Sequence, residues 1–146
     1  MLPYFGLIIF IFFISSVAEY TKSTSFVYKS FQNFILLVCA FFLGARDESV
    51  GTDTAAYVLF YNRGVDDSLA EVFTSKSNYE IAYKLCGFIA KSFTENYFFL
   101  LFLVALVTLW FQIRTIYKLS INPPISLFVF LTFGTYLFAF NGMRQA

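Results

Sequence analysis

An arginine and an aspartate placed where a hydrophobic run gives way to polar residues can handle phosphate and hydroxyl groups. This chain has such a place. Arg46-Asp47-Glu48-Ser49-Val50-Gly51-Thr52-Asp53-Thr54 follows the apolar run Phe34 to Ala45. A guanidinium offers a fixed fork of donors that matches phosphate oxygens, so Arg46 at a membrane surface can clamp a lipid-linked pyrophosphate. Its plainer role is a snorkelling or positive-inside anchor at a helix end. Asp53 supplies a carboxylate able to orient or deprotonate a sugar hydroxyl, with Gly51 beside it permitting close backbone approach. Equally, Asp53 directly precedes Thr54-Ala55-Ala56-Tyr57 and would serve as a helix cap, although Ala56 leaves the capping box incomplete. Tyr57, with Phe60 and Tyr61, offers rings that either stack on sugars or pack a core. Far along the chain, Arg144 followed by Gln145 is a second candidate for the anion clamp, or a terminal anchor.

The composition says what must position these residues. With 59% hydrophobic, 23% aromatic and 13% charged residues in 146, and a mean hydropathy of +0.71, the chain is written for a lipid bilayer rather than for an aqueous core. A net charge of +1 supplies no basic field for nucleic acid, and no nucleic-acid partner is expected. There is no histidine, and the two cysteines, Cys39 and Cys86, have neither metal-ligand spacing nor a readable disulfide relation. Walker loops, nucleophile elbows and metal clusters are missing from the sequence, so no cofactor is implied.

The hydropathy pattern predicts an all-α polytopic membrane protein of about four transmembrane helices, over residues 2–18, 31–45, 97–113 and 124–140, forming a single membrane domain. Ser16-Val17-Ala18 before Glu19 imitates a signal-peptidase site, but the missing basic n-region favours a retained helix. Glu19 to Lys29 reads as a polar hinge. The 46–96 loop holds five basic and eight acidic residues, a net −3, and reads as an aqueous excursion with two short helices. One spans Thr54 to Tyr61. The other spans Glu80 to Phe93, its stripe of Ile81, Leu85, Phe88, Ile89 and Phe93 lying in the membrane interface with Lys84 and Lys91 outward. Glu80 and Lys84, four apart, read as a solvated ion pair. Asn62-Arg63-Gly64 and Asp66-Asp67-Ser68 supply turns between the helices, and Thr108, Gln112 and Thr115 suggest a hydrogen-bonding face on the third span. Lys22, Lys29, Arg114 and Lys118 in the short connections place those loops in the cytoplasm, and hence the amino terminus and the 46–96 loop outside.

The opening Met1-Leu2-Pro3-Tyr4, the Arg46 exit, Val50-Gly51-Thr52-Asp53-Thr54 with Tyr57 and Phe60, Tyr79-Glu80 before an amphipathic helix, and Asn141-Gly142-Met143-Arg144-Gln145 together resemble the amino-terminal part of the EpsG family. That family is similar to Wzy-type polymerases, which join polyprenyl-pyrophosphate-linked oligosaccharide repeats at the outer face of bacterial plasma membranes into exopolysaccharide, capsule or O-antigen. The resemblance implies a glycosyltransferase in which Arg46 and Arg144 bind the donor pyrophosphate and Asp53 positions or deprotonates the acceptor hydroxyl. Gly51, Tyr57 and Gln145 would complete the substrate site. It implies as partners the lipid-linked oligosaccharide, the bilayer and other membrane proteins of polysaccharide assembly. Family chains continue through many more helices, so the resemblance also implies a carboxy-terminal truncation or split half, inactive alone. The competing reading is a non-enzymatic adaptor or anchoring subunit of a polysaccharide or transport system. An acyltransferase or other lipid-phosphate enzyme is a third.

Overall fold

The structure is a computed structural model that describes residues 2–21, 25–47, 49–51, 53–63, 65, 68–74 and 79–141. Among these there is no strand, and the order is α1 (Leu2–Tyr20), α2 (Ser25–Gly44), α3 (Thr54–Arg63), α4 (Leu69–Thr74), α5 (Ile81–Phe93), α6 (Tyr97–Leu119), α7 (Pro123–Thr132) and α8 (Thr135–Asn141). Three helices, α1, α2 and α6, are long and apolar enough to cross a membrane. At 1.5 Å per residue each spans roughly the 30 Å of a hydrocarbon core. The all-α polytopic reading therefore holds.

Several boundaries differ from those the hydropathy pattern predicts. Helix α2 starts at Ser25, inside the expected polar hinge; within it Ser30 returns its hydroxyl to the Phe26 carbonyl and Tyr28 donates to Glu19 Oε1 at 2.9 Å. Polar side chains at a span's end are satisfied locally and do not stop the helix. Likewise α6 runs on to Leu119, and α3 to Arg63, taking up Asn62 and Arg63, which had been expected to turn. The expected fourth span, 124–140, is instead broken into α7 and α8 by Phe133-Gly134. Gly134 has φ +86°, which an L side chain rarely adopts, and Phe133 N–H caps α7 on the Val129 carbonyl. The start of α7 follows expectation: Asn122 Oδ1 accepts from Ile125 N–H, with Pro123 and Pro124 in the first turn, where no N–H partner is needed.

The described chain divides into two compact units. The first consists of Met1–Cys39 and Leu106–Phe138. Here α1 packs on α7, and Ile11, Ser15 and Ala18 are fully buried, so the helix continues unbroken through the signal-like Ser16-Val17-Ala18. Tyrosine hydroxyls fasten the helices to one another: Tyr4 donates to the Leu131 carbonyl, Tyr136 to the Cys39 carbonyl at 2.8 Å, and Tyr117 shares a hydrogen bond with Ser15 at 2.9 Å. Arg114 adds two more, to Gln32 Oε1 at 3.1 Å and Asn33 Oδ1 at 2.8 Å. The polar face expected of α6 is thus carried by Arg114 and Tyr117. Thr115 turns its hydroxyl back to the Phe111 carbonyl of its own helix.

The second unit consists of Ala40–Ala105 with the last residues of α8. The end of α2 lies so close to the first half of α6 that a Cβ added at Gly44 would sit 3.0 Å from the Phe102 backbone. Phe41 and Phe98 meet edge to face beside this contact. Helices α3 and α5 approach through Gly87, where a Cβ would come within 2.9 Å of the Phe60 ring.

Candidate functional site

Arg46 lies two residues beyond Gly44, so the close approach of α2 and α6 fixes where its backbone emerges. It does not extend into solvent as a snorkelling anchor would: the residue is only 6% exposed, with Nε and Nη2 buried. Burial lowers its pKa, and Tyr57, Tyr83 and Asp53 lie near enough to oppose that shift and favour the charged form. A guanidinium is protonated at any physiological pH, so the site holds a fixed positive charge away from bulk water.

Between Arg46 and Asp53, the described residues Asp47, Ser49 and Val50 bond to one another. Asp47 Oδ1 accepts from Ser49 N–H at 3.0 Å and Ser49 Oγ at 2.6 Å, while Val50 N–H bonds the Asp47 carbonyl. These two bonds from Ser49 hold the Asp47 carboxyl below its ordinary range. Gly51 has φ +89°, a conformation that favours glycine and turns the chain into α3. Buried Thr54 donates its hydroxyl to the Val50 carbonyl at 2.5 Å. Asp53 occupies the N-cap position, its carbonyl accepting the first helical bond from Tyr57 N–H. Asp53 thus stands at a helix start, near enough to Arg46 to favour its charged form.

Tyr57, Phe60 and Tyr61 are all buried. The Tyr57 ring centroid lies 5.6 Å from that of Tyr83, and Phe60 sits 4.4 Å from Tyr79 and 5.0 Å from Tyr83. Such distances are those of paired aromatic rings in cores. Tyr57 therefore borders Arg46 as part of a wall, with its ring packed and not presented as an open platform. Tyr61 pins the far end of α3, donating to the Thr94 carbonyl, while Lys91 Nζ donates to the Tyr61 carbonyl at 3.2 Å and lies 5.8 Å from its ring. Burial, then the nearby Glu95 carboxylate, raises the Tyr61 pKa.

Helix α5 leaves Ile81, Ile89 and Phe93 of its apolar stripe outward, as expected, and departs from expectation at Lys84. Its buried face is Tyr83, Lys84, Gly87 and Ala90, and Lys84 is 4% exposed where a solvated ion pair with Glu80 was expected. The apolar Ile81, Ile89 and Phe93 are the exposed residues, which suits a helix lying in the membrane interface. A small residue explains the choice. Gly87 leaves a notch on this face that the Phe60 ring of α3 fills. Tyr83 and Lys84 are thus the residues the sequence reading missed. The available signal was Tyr79 and Tyr83, one helical turn apart and followed by Gly87.

The structure therefore brings Arg46, Asp53 and Tyr57 together, with Gly51 in the segment that joins them. Arg144 and Gln145, as well as Glu48 and Thr52, lie outside the described residues. Cys39 and Cys86 are both free thiols.

In comparison with known proteins, the model of the EpsG family matches residues 29–146, leaving α1 and the Met1–Tyr4 opening outside the match. No curated protein and no solved structure matches the chain.

Proposed function

This membrane protein belongs to the EpsG family, and from that premise we propose that it serves the polymerisation of polyprenyl-pyrophosphate-linked oligosaccharide repeats at the outer face of a bacterial plasma membrane. The observation that carries the reading is Arg46, a buried guanidinium at the mouth of an apolar helix with the Asp53 carboxylate and two phenols around it. Ionisable groups at such depth are costly and are kept where they meet a substrate or one another. Arg46 pairs with the donor pyrophosphate, whose departure it assists by stabilising the charge that develops on the leaving oxygen. Asp53 orients the acceptor hydroxyl and takes up its proton as that oxygen bonds to the donor's anomeric carbon. The bond from that carbon to the pyrophosphate oxygen breaks, and polyprenyl pyrophosphate leaves. No nucleotide or metal ion enters these steps, because the donor is already activated. Arg144 is the second pyrophosphate ligand in this scheme, with Gln145, Gly51 and Tyr57 shaping the site.

The test is to place Arg46→Lys, Asp53→Asn and Arg144→Lys one at a time in the natural gene and to measure surface polysaccharide together with the amount of inserted protein. Each should reduce polymer at least about a hundredfold, the scale of losing one transition-state donor or base, at unchanged protein level. Normal polymer in all three variants would overturn the reading in favour of a non-enzymatic adaptor.

A further inference from the structure

The first unit carries a lipid-facing groove that the polymerase reading does not use. Asn33, Leu36 and Leu37 of α2 form one wall, and Leu106, Val107, Trp110 and Phe111 of α6 the other, around about 570 Å³. It is apolar except at one end. Beside that end is Arg114, which donates from Nη2 to the lining residue Asn33 and from Nη1 to Gln32. Both partners are neutral amides, so the guanidinium is held in place while its charge is left uncompensated. Lys29 and Lys118 stand exposed at the same end of these helices, and the one acidic residue among the described residues of this unit is Glu19, which accepts from Tyr28. A charge of this sign at a span's end, next to an apolar channel, complements a phosphate with a hydrocarbon tail.

We infer that the α2/α6 groove is a binding site for an anionic glycerophospholipid of the bilayer, its phosphate on Arg114 and one acyl chain along Leu37, Val107 and Trp110. The dimensions agree. From Arg114 back to Leu106 is eight residues, about 12 Å of helix, most of the roughly 15 Å that one leaflet contributes to the hydrocarbon core. The lining side chains Leu37, Val107, Trp110 and Phe111 are each about half exposed, so the channel is open along its length to a chain entering from the side. Gln32 and Asn33 act as a bracket. By occupying one N–H on each terminal nitrogen they fix the guanidinium plane and leave the remaining donors for phosphate oxygens.

Trp110 is the single tryptophan of the chain, so the groove contains its own reporter. The full chain is reconstituted in phosphatidylcholine vesicles, and Trp110 fluorescence is followed as either brominated phosphatidylglycerol or brominated phosphatidylcholine is introduced at low mole fraction. The anionic lipid should reach half-quenching at about a fivefold lower fraction. Arg114→Gln should merge the two curves, while Arg114→Lys keeps part of the preference. Lys29→Gln combined with Lys118→Gln, which lowers the surface charge without touching the groove, should leave most of it. Coincident curves for the native protein would overturn the inference, whether or not the variants fold. So would a preference that survives Arg114→Gln, or one that disappears with the two lysines. Excess polyprenyl pyrophosphate should leave quenching by the anionic lipid unchanged; relief of that quenching would assign the groove to the donor lipid instead. None of these readings depends on polymer formation, so the inference and the proposed reaction can fail separately.

Discussion

The two compact units both bury polar groups inside an aromatic-rich chain, and they do so in opposite ways. In the first, phenols hold backbone carbonyls and a serine, while its charged groups Glu19 and Arg114 are only partly buried and are met by neutral partners. Such bonds are worth on the order of 1 kcal/mol each inside a membrane and serve to hold helices together. In the second, the buried polar residues include a guanidinium and an ammonium, Arg46 and Lys84, among tyrosines. Taking a charge out of water costs several kcal/mol before any partner offsets it. The first arrangement is what stability alone requires. The second is more than stability requires, and the excess marks the unit where chemistry is to be sought.

The sharpest way to break this contrast is at Gly44. A side chain there meets the Phe102 backbone at 3.0 Å, where no rotamer change can relieve it. Gly44→Val should destabilise the protein by about 3 kcal/mol, the upper range for overpacking, as read by denaturant unfolding in micelles. Because Arg46 leaves the helix end that this contact fixes, polymer should fall in step. A stable Gly44→Val protein would mean that Arg46 is not positioned by the α2 to α6 approach.

The next test concerns which face of α5 is inside. Lys84→Glu reverses a buried charge and should cost about 3 kcal/mol, whereas Ile89→Ala only trims an exposed side chain and should cost less than about 1 kcal/mol. Equal losses, or the reverse order, would return Lys84 to the solvated position first expected of it. A smaller effect is predicted in the first unit. Tyr136→Phe removes the hydroxyl that donates to the Cys39 carbonyl and nothing else, and should lower stability by about 1 kcal/mol without affecting polymer. A large effect on polymer would show that this unit also shapes the reacting site.

How far these features were legible follows from what each depends on. The long helices α1, α2 and α6 were legible because hydropathy over some 20 residues outweighs any local detail. Arg46, Asp53 and their loop were legible because polar residues are rare in this chain and their position after an apolar run is itself informative. The outward stripe of α5 was legible from its period, but the burial of Lys84 was not, since periodicity assigns a charge to a face without recording what covers that face. What decided it was the pair Gly87 and Phe60, 27 residues apart, a contact that no single helix records. The break at Phe133-Gly134 was hidden for a similar reason: a glycine is common in spanning helices, and only the positive φ separates a break from a kink.

The smallest predicted effect lies in the segment between Arg46 and Asp53, and it tests whether that segment serves order or chemistry. Asp47 is fully exposed, yet two bonds from Ser49 keep its carboxyl below the ordinary range. A depressed folded-state pKa contributes stability that is present above the ordinary carboxylate value near 3.9 and is lost as pH falls through the lower folded value. For a group so exposed that contribution is slight, and Ser49→Ala should leave thermal unfolding at neutral pH unchanged. It should, however, return the Asp47 titration, followed by carboxyl carbon NMR, toward the ordinary value, because the Oγ donor is gone. If the turn only tidies an exposed loop, polymer formation will be unaffected as well. If it sets the path by which Gly51 brings Asp53 beside Arg46, polymer will fall several-fold while stability does not. That separation of activity from stability is expected of the second unit and of no hydrogen bond in the first.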